Sequence, residues 1–366
     1  MSMSYWLEAY GNPTVLASGG AVIGGLFGFF AQRSRFCLRA AVIEFWHRQF
    51  GDKLSVWLLA FSSAVIAVQL MVLMGWLDTN NARQISTTGS MSGALIGGLV
   101  FGIGMVMTRG CASRLLVLSA NGNLRALLSG LIFAVTAQSA LSGVLSPLRL
   151  AISSWWTIPG GASRDLLAIT GLGHGAGLAM GGVWLTAALY FSLRSPNRSF
   201  WMWVGGIGTG LMVAAAWGFS QWVTYESFDP VQIQGLTFSG PSAEWLMRVM
   251  QWPWPVIGFE FGLMPSVFLG SLIGALIGKD WKLEGFTDGY SMRRYIGGAI
   301  LMGFGSMLAG GCAVGAGVTG GAIFALTAWV SLVGMWLGAG LTDRWLDNGS
   351  NAAMSAKVQT EGFKLP

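Results

Sequence analysis

Nine apolar runs constrain this chain more than any other feature. They fall near residues 14–32, 55–77, 91–108, 124–145, 166–191, 200–222, 256–278, 295–309 and 320–341. A helix needs about 20 apolar residues to cross the hydrocarbon of a bilayer. Inside lipid every backbone N–H and C=O must be paired within the protein, so runs this long are expected to be helices. Charged residues make up only 10% of the chain, against about 25% in soluble domains. The expected fold is an all-α polytopic membrane protein with about nine transmembrane helices, residues 1–366 forming a single integral domain.

Basic residues orient the runs. Arg33, Arg35, Arg39, Arg48 and Lys53 follow the first run, and nothing basic precedes it. By the positive-inside tendency this puts the N-terminus outside and the first loop in the cytoplasm. Nine alternating crossings then leave Arg194, Lys279, Lys282, Arg293, Arg294 and Arg344 inside, with 342–366 a cytoplasmic tail. The segment 223–255, with Glu226 and Glu244, falls outside. Arg83 and Arg149 are exceptions to the charge pattern. No basic segment precedes the first run, so no cleaved signal peptide is expected.

A stretch at the end of two runs is repeated. Gly102-Ile-Gly104-Met-Val-Met-Thr108-Arg109-Gly110-Cys111 and Gly303-Phe-Gly305-Ser-Met-Leu-Ala309-Gly310-Gly311-Cys312 share G-x-G, five residues and Gly-Cys. Cys37 closes a looser version that starts at Gly28. Nine alternating crossings put the first two copies on oppositely directed helices. The expectation is two inverted-topology halves, 1–150 and 200–341, joined by a linking helix at 166–191. Transporters built this way hold their sites where the repeats meet near the midplane. The segments after Cys111 and Cys312 are too apolar for solvated loops and too short to cross. They are expected to be re-entrant segments meeting near the midplane.

These segments define the candidate site: Cys37, Cys111 and Cys312, with Gly110 and Gly311 beside two of them. A glycine-rich turn can aim backbone N–H groups at a ligand, and a short helix restarting after it offers its positive end to an anion. An isolated buried cysteine is ordinarily packing material, but matched positions in a repeat weaken that reading. A protonated thiol is a soft, weak donor and suits a polarisable sulfur acceptor. Several thiols along a path can pass a ligand on without holding it too tightly. A nucleophilic cysteine needs the opposite, a stabilised thiolate.

Arg33, Arg35 and Arg109 are candidates for attracting an anion, and equally for interface anchors. Arg114, beyond Cys111, has glycine opposite it in the second copy and stands outside the repeat. Glu260 fits a structural or a proton-coupling role, and His174 a hydrogen-bonded structural one. Glycine pairs at helical spacing, such as Gly98/Gly102 and Gly334/Gly338, fit close helix packing. No Walker motif, dinucleotide fingerprint, metal-ligand cluster or hydrolase triad appears, so neither cofactor nor metal is expected. The basic residues form no nucleic-acid footprint.

Gln32-Arg-Ser-Arg-Phe-Cys37 and the two Gly-Cys stretches together resemble the YeeE/YedE family of bacterial inner-membrane proteins, over about residues 14–341. The resemblance implies nine spans with re-entrant loops meeting centrally, uptake of thiosulfate, and an ion passed by S–H···S contacts between cysteines that correspond to Cys37, Cys111 and Cys312. It also implies a separate small cytoplasmic sulfur-carrier protein as partner. The leading expectation is therefore an inner-membrane permease, not an enzyme, for a small sulfur-containing anion. A membrane-embedded sulfurtransferase or redox protein with a reactive cysteine is the alternative.

Overall fold

In a computed structural model the chain is almost wholly helical, and a two-residue ribbon pairing Gly89–Ser90 with Thr157–Ile158 is the strand structure among the described residues. The structure describes residues 7, 9–195, 199–227, 232–250, 258–285 and 289–360. Parts of the expected outer segment, 228–231 and 251–255, and the tail residues 361–366 lie outside them. Eight helical segments among the described residues are long and apolar enough to cross a membrane: 12–46, 52–73, 91–120, 124–142, 174–194, 200–226, 259–278 and 292–320. The ninth expected run, 320–341, falls on the helix Leu326–Thr360, which lies outside those eight.

The long helices are α1 (Asn12–Arg33), α3 (Asp52–Leu73), α4 (Met91–Met107), α6 (Leu124–Ser142), α7 (His174–Arg194), α8 (Phe200–Glu226), α10 (Phe259–Gly278), α11 (Gly289–Leu308) and α12 (Leu326–Thr360). Shorter helices α2 (Leu38–Trp46), α5 (Ala112–Ala120) and α9 (Ser239–Met250), and a π-helical segment Ala313–Gly320, lie between them. Large apolar side chains such as Val22, Leu131, Val183, Leu269 and Ile277 remain exposed on the long helices. On a soluble protein so many would be an aggregation hazard; here they form the face that lipid covers.

Glycine contacts show which way neighbouring helices run. Gly20, Gly24 and Gly28 of α1 lie against Phe259, Leu263 and Val267 of α10, so these two helices are parallel. In α4, Gly98 and Gly102 meet Ser331 and Met335 of α12, also parallel, whereas Gly97 meets Gly305 and Gly104 meets Gly298 of α11, which is antiparallel. Gly210 of α8 lies on Ala60 of α3 in parallel, and Gly177 and Gly181 of α7 meet Gln69 and Ile66 of α3 in antiparallel. These are the relative directions that nine alternating crossings require. A Cβ on Gly97 would stand 2.8 Å from the Gly305 carbonyl oxygen, so backbone contact, not side-chain interdigitation, sets this spacing.

Candidate functional site

Each of the three cysteines follows the same backbone device. Helix α1 ends with Arg35 in the left-handed region at φ 56°, α4 with Arg109 at φ 58°, and α11 with Gly310 at φ 76°. The next residue then folds its N–H back five positions: Phe36 to Ala31 (3.0 Å), Gly110 to Met105 (3.2 Å) and Gly311 to Ser306 (2.9 Å). This is the Schellman arrangement that satisfies the last carbonyls of a helix. Cys37, Cys111 and Cys312 come next, each in extended conformation and each the N-cap of the following short helix. The N–H groups of Gly110 and Gly311 are thereby used to close these turns. What remains toward the site is the first turn of each short helix.

At a helix start the backbone N–H groups have no partner within the helix and carry partial positive charge. The sulfur of Cys312 accepts from the N–H of Gly315 at 3.4 Å. Cys37 and Cys111 make no such cap bond to the first turn of their helices. All three thiols are free, with relative exposures of 8%, 0% and 1% in chain order. Cys37 and Cys111 lie near one another, and Cys111 Sγ lies 3.4 Å from Ser113 Oγ. The hydrogen bond of Cys312 stays within its own turn.

Two cavities open at opposite ends of α6. A cavity of about 480 Å3 reaches Leu141, near the end of that helix, and is lined by Arg83, Arg149, Arg164, Ser306, Gly310 and Gly315. A pocket of about 220 Å3 includes Asn123, the N-cap of the helix, with Gln32, Arg35, Arg114, Asp280 and Lys282. The 19 residues of α6 span about 28 Å at 1.5 Å per residue, roughly the thickness of a bilayer's hydrocarbon.

The short helices after Cys111 and Cys312 lie near different cavities. Asn121 and Gly122, just beyond α5, pair with Lys282 and Glu284 at the smaller pocket. The π segment starts beside Gly310 at the larger cavity and is followed by Ala325, which bridges to Asp165. Helix α5 and the π segment touch. Chain neighbours of Cys312, Gly310 and Gly315, line the larger cavity, and Arg114, three residues after Cys111, lines the smaller pocket, while the three thiols themselves are buried.

Of the arginines expected to attract an anion, Arg35 and Arg109 are exposed, and Arg35 pairs with Asp280 at 3.5 Å. Arg33 stacks over the Trp201 ring at 4.6 Å, an anchoring geometry. Arg114 lies deepest: it donates to Gln32 Oε1 at 3.4 Å and is within electrostatic reach of Cys37 and Cys111. Its position inside the smaller pocket was hidden in the sequence because the second copy has glycine there. Arg83 and Arg149, exceptions to the charge pattern, converge with Arg164 on the larger cavity. His174 hydrogen-bonds Gln69 at 3.2 Å, and Gln69 in turn donates to the Ala322 carbonyl at 2.7 Å, the structural role expected of it. No cluster of three or more metal-ligating side chains occurs among the described residues.

A multi-pass helical membrane protein, with cysteine-capped helix ends between two charged openings, is the class that fold and site define. The chain belongs to the sulphur-transport family, whose profile matches residues 33–341. It is 26% identical to the thiosulfate transporter TsuA of Escherichia coli (strain K12) over 344 residues, covering 89% of this chain and 93% of that protein. It is 25% identical to the thiosulfate transporter TsuA of Spirochaeta thermophila over 352 residues, covering 87% of this chain and 96% of the relative.

Proposed function

We propose that this protein is a bacterial inner-membrane permease that takes up thiosulfate. The observation that carries the reading is that each cysteine caps a short helix start, with Cys37 and Cys111 near one another and Arg114 within electrostatic reach of both. Relatives named as thiosulfate transporters cover nearly their whole length with this chain. In this reading the N-terminus and the larger cavity face outward, and the C-terminus and the smaller pocket face the cytoplasm. The two halves are related by inverted topology, and α5 and the π segment are its re-entrant pair.

The ion enters the larger cavity, and its terminal sulfur meets the Cys312 thiol. It passes to the Cys111–Cys37 pair and leaves beside Arg114. A helix start favours negative charge, so the substrate is stabilised at each step by N–H groups that carry no charge to be neutralised. The thiols act as protonated donors, since a thiolate would repel the ion. Release delivers thiosulfate to a separate small sulfur-carrier protein at the cytoplasmic mouth.

Uptake of labelled thiosulfate into cells lacking other routes tests the proposal, with sulfite, sulfide and selenium analogues as competitors. Saturable uptake that requires this chain is expected; its absence, with the protein present in the membrane, contradicts the proposal. The nearness of Cys37 to Cys111, with Arg114 in electrostatic reach of both, favours a second reading, a sulfurtransferase with a reactive thiol. That reading predicts a persulfide trapped on Cys37 or Cys111 after exposure to thiosulfate, the thiolate bonding to the outer sulfur as the thiosulfate S–S bond breaks and sulfite leaves.

A further inference from the structure

The larger cavity is lined by a buried cation with no paired carboxylate among the described residues. Arg164 is 6% exposed. One terminal nitrogen donates to the backbone carbonyl and hydroxyl of Thr87, and the other donates to Thr327 Oγ1 at 2.7 Å. Its Nε is buried with no partner, and no carboxylate pairs with the group among the described residues. Burial, with the nearby positive Arg83, holds Arg164 below an arginine's ordinary pKa. A buried cation is costly unless something neutralises it.

The position is built for the guanidinium. At Gly89 a Cβ would stand 2.5 Å from Arg164 Nε, so glycine there gives the group its room. Glu244 and Glu260 also line the cavity, but Glu244 is paired with Arg248 at 3.2 Å, and the cations in reach of Glu260 are Arg83 and Arg248. Neither acid forms an ion pair or hydrogen bond with Arg164, whose bonds go to Thr87 and Thr327. The turn that carries Cys312 contributes Gly310 and Gly315 to the same cavity.

We propose that Arg164, with Arg83 and Arg149 on the wall, forms a capture site for the oxygen-bearing end of divalent sulfur oxoanions, separate from the thiols. A guanidinium fork recognises paired oxygens, and sulfate and thiosulfate present similar ones. Capture therefore reads charge and oxygen geometry, and the thiols alone read the terminal sulfur. Sulfate binds and competes without being carried. This inference rests on the proposal that the substrate enters through this cavity.

The test uses the full-length chain, both in cells and purified in detergent. Wild-type uptake of labelled thiosulfate should be competitively inhibited by sulfate. Arg164→Gln should raise KM for thiosulfate about tenfold or more, the loss expected for one charge-assisted interaction, with Vmax within about twofold by the same account. It should also abolish sulfate inhibition, whereas Cys312→Ser should lose uptake yet still bind sulfate when purified. Because Arg164 also ties Thr87 to Thr327, Arg164→Gln could fail to reach the membrane. The exposed Arg83→Gln then decides, with a rise in KM of about threefold, as for a solvent-screened charge. An unchanged KM and unchanged sulfate inhibition in either variant at normal membrane abundance overturns the capture site. If the wild type takes up no thiosulfate, the transport proposal fails. Sulfate binding by the purified chain, lost in Arg164→Gln, then still supports the site, and its absence refutes it.

Discussion

The turn at Cys111 and the turn at Cys312 use one backbone device to opposite ends. Both close with a left-handed residue, a five-back hydrogen bond and a cysteine N-cap. Beyond that they diverge. Cys111 starts a nine-residue α-helix carrying Ser113, Arg114 and Ser119. Cys312 starts an eight-residue π-helical segment without a charged side chain, every residue of it buried. The backbone fixes where each sulfur sits; the side chains that follow decide what surrounds it. Near the second turn, the cavity that Gly310 and Gly315 line takes its cations from elsewhere, on Arg83, Arg149 and Arg164. At Cys111 the repeat segment supplies its own, Arg114.

The comparison can be broken most severely through the helices that hold both turns. Gly97→Leu would drive a side chain into the backbone of Gly305 and Ala309, and overpacking of this kind costs about 1–3 kcal/mol or more. The expected outcome is loss of the monodisperse folded peak in size-exclusion chromatography. Gly182→Leu, where a Cβ meets nothing within 4 Å, should leave that peak intact.

Charge at the smaller pocket comes next. Arg114→Gln should lower the maximal uptake rate several-fold, about 1 kcal/mol or more for a charged hydrogen bond at the exit, with normal membrane abundance. An unchanged rate would make Arg114 merely structural. Exchanging the left-handed residues sharpens the backbone half of the comparison. Arg109→Gly should stabilise the protein by up to about 1 kcal/mol, and Gly310→Arg should cost about as much, because a side chain in the left-handed region is strained. Thermal unfolding in detergent measures both. A fall in stability for Arg109→Gly would mean that its side chain holds the turn. The smallest change is expected from Ser113→Ala, which removes a 3.4 Å contact to Cys111. A neutral hydrogen bond contributes about 1 kcal/mol, so uptake should fall by no more than a few-fold.

The long apolar runs, the matched Gly-Cys copies and the looser third copy at Cys37 were all legible in the sequence, because each is local. So was the short helix restarting after a glycine turn. The left-handed conformation of Arg35 and Arg109 was not, since nothing in an arginine announces it; Gly310 at the equivalent place was the available signal. That the N–H groups of Gly110 and Gly311 would be used in a Schellman turn was equally hidden, because the turn depends on the residue before them. The arginine-lined cavity was hidden for another reason. Arg83, Arg149 and Arg164 belong to three separate segments, and only packing brings them together. Arg83 and Arg149 registered in the sequence solely as charges on the wrong side. Arg114 was set aside because the repeat did not preserve it, which is the trait that distinguishes the two turns.

The central claim is that all three capped thiols serve one path. Its most direct test is labelled thiosulfate uptake by Cys37→Ser, Cys111→Ser and Cys312→Ser, each at wild-type abundance in the membrane. Loss of uptake in both the Cys111 and Cys312 variants, and a marked reduction for Cys37, is the predicted result. Full uptake by the Cys111 and Cys312 variants would contradict it.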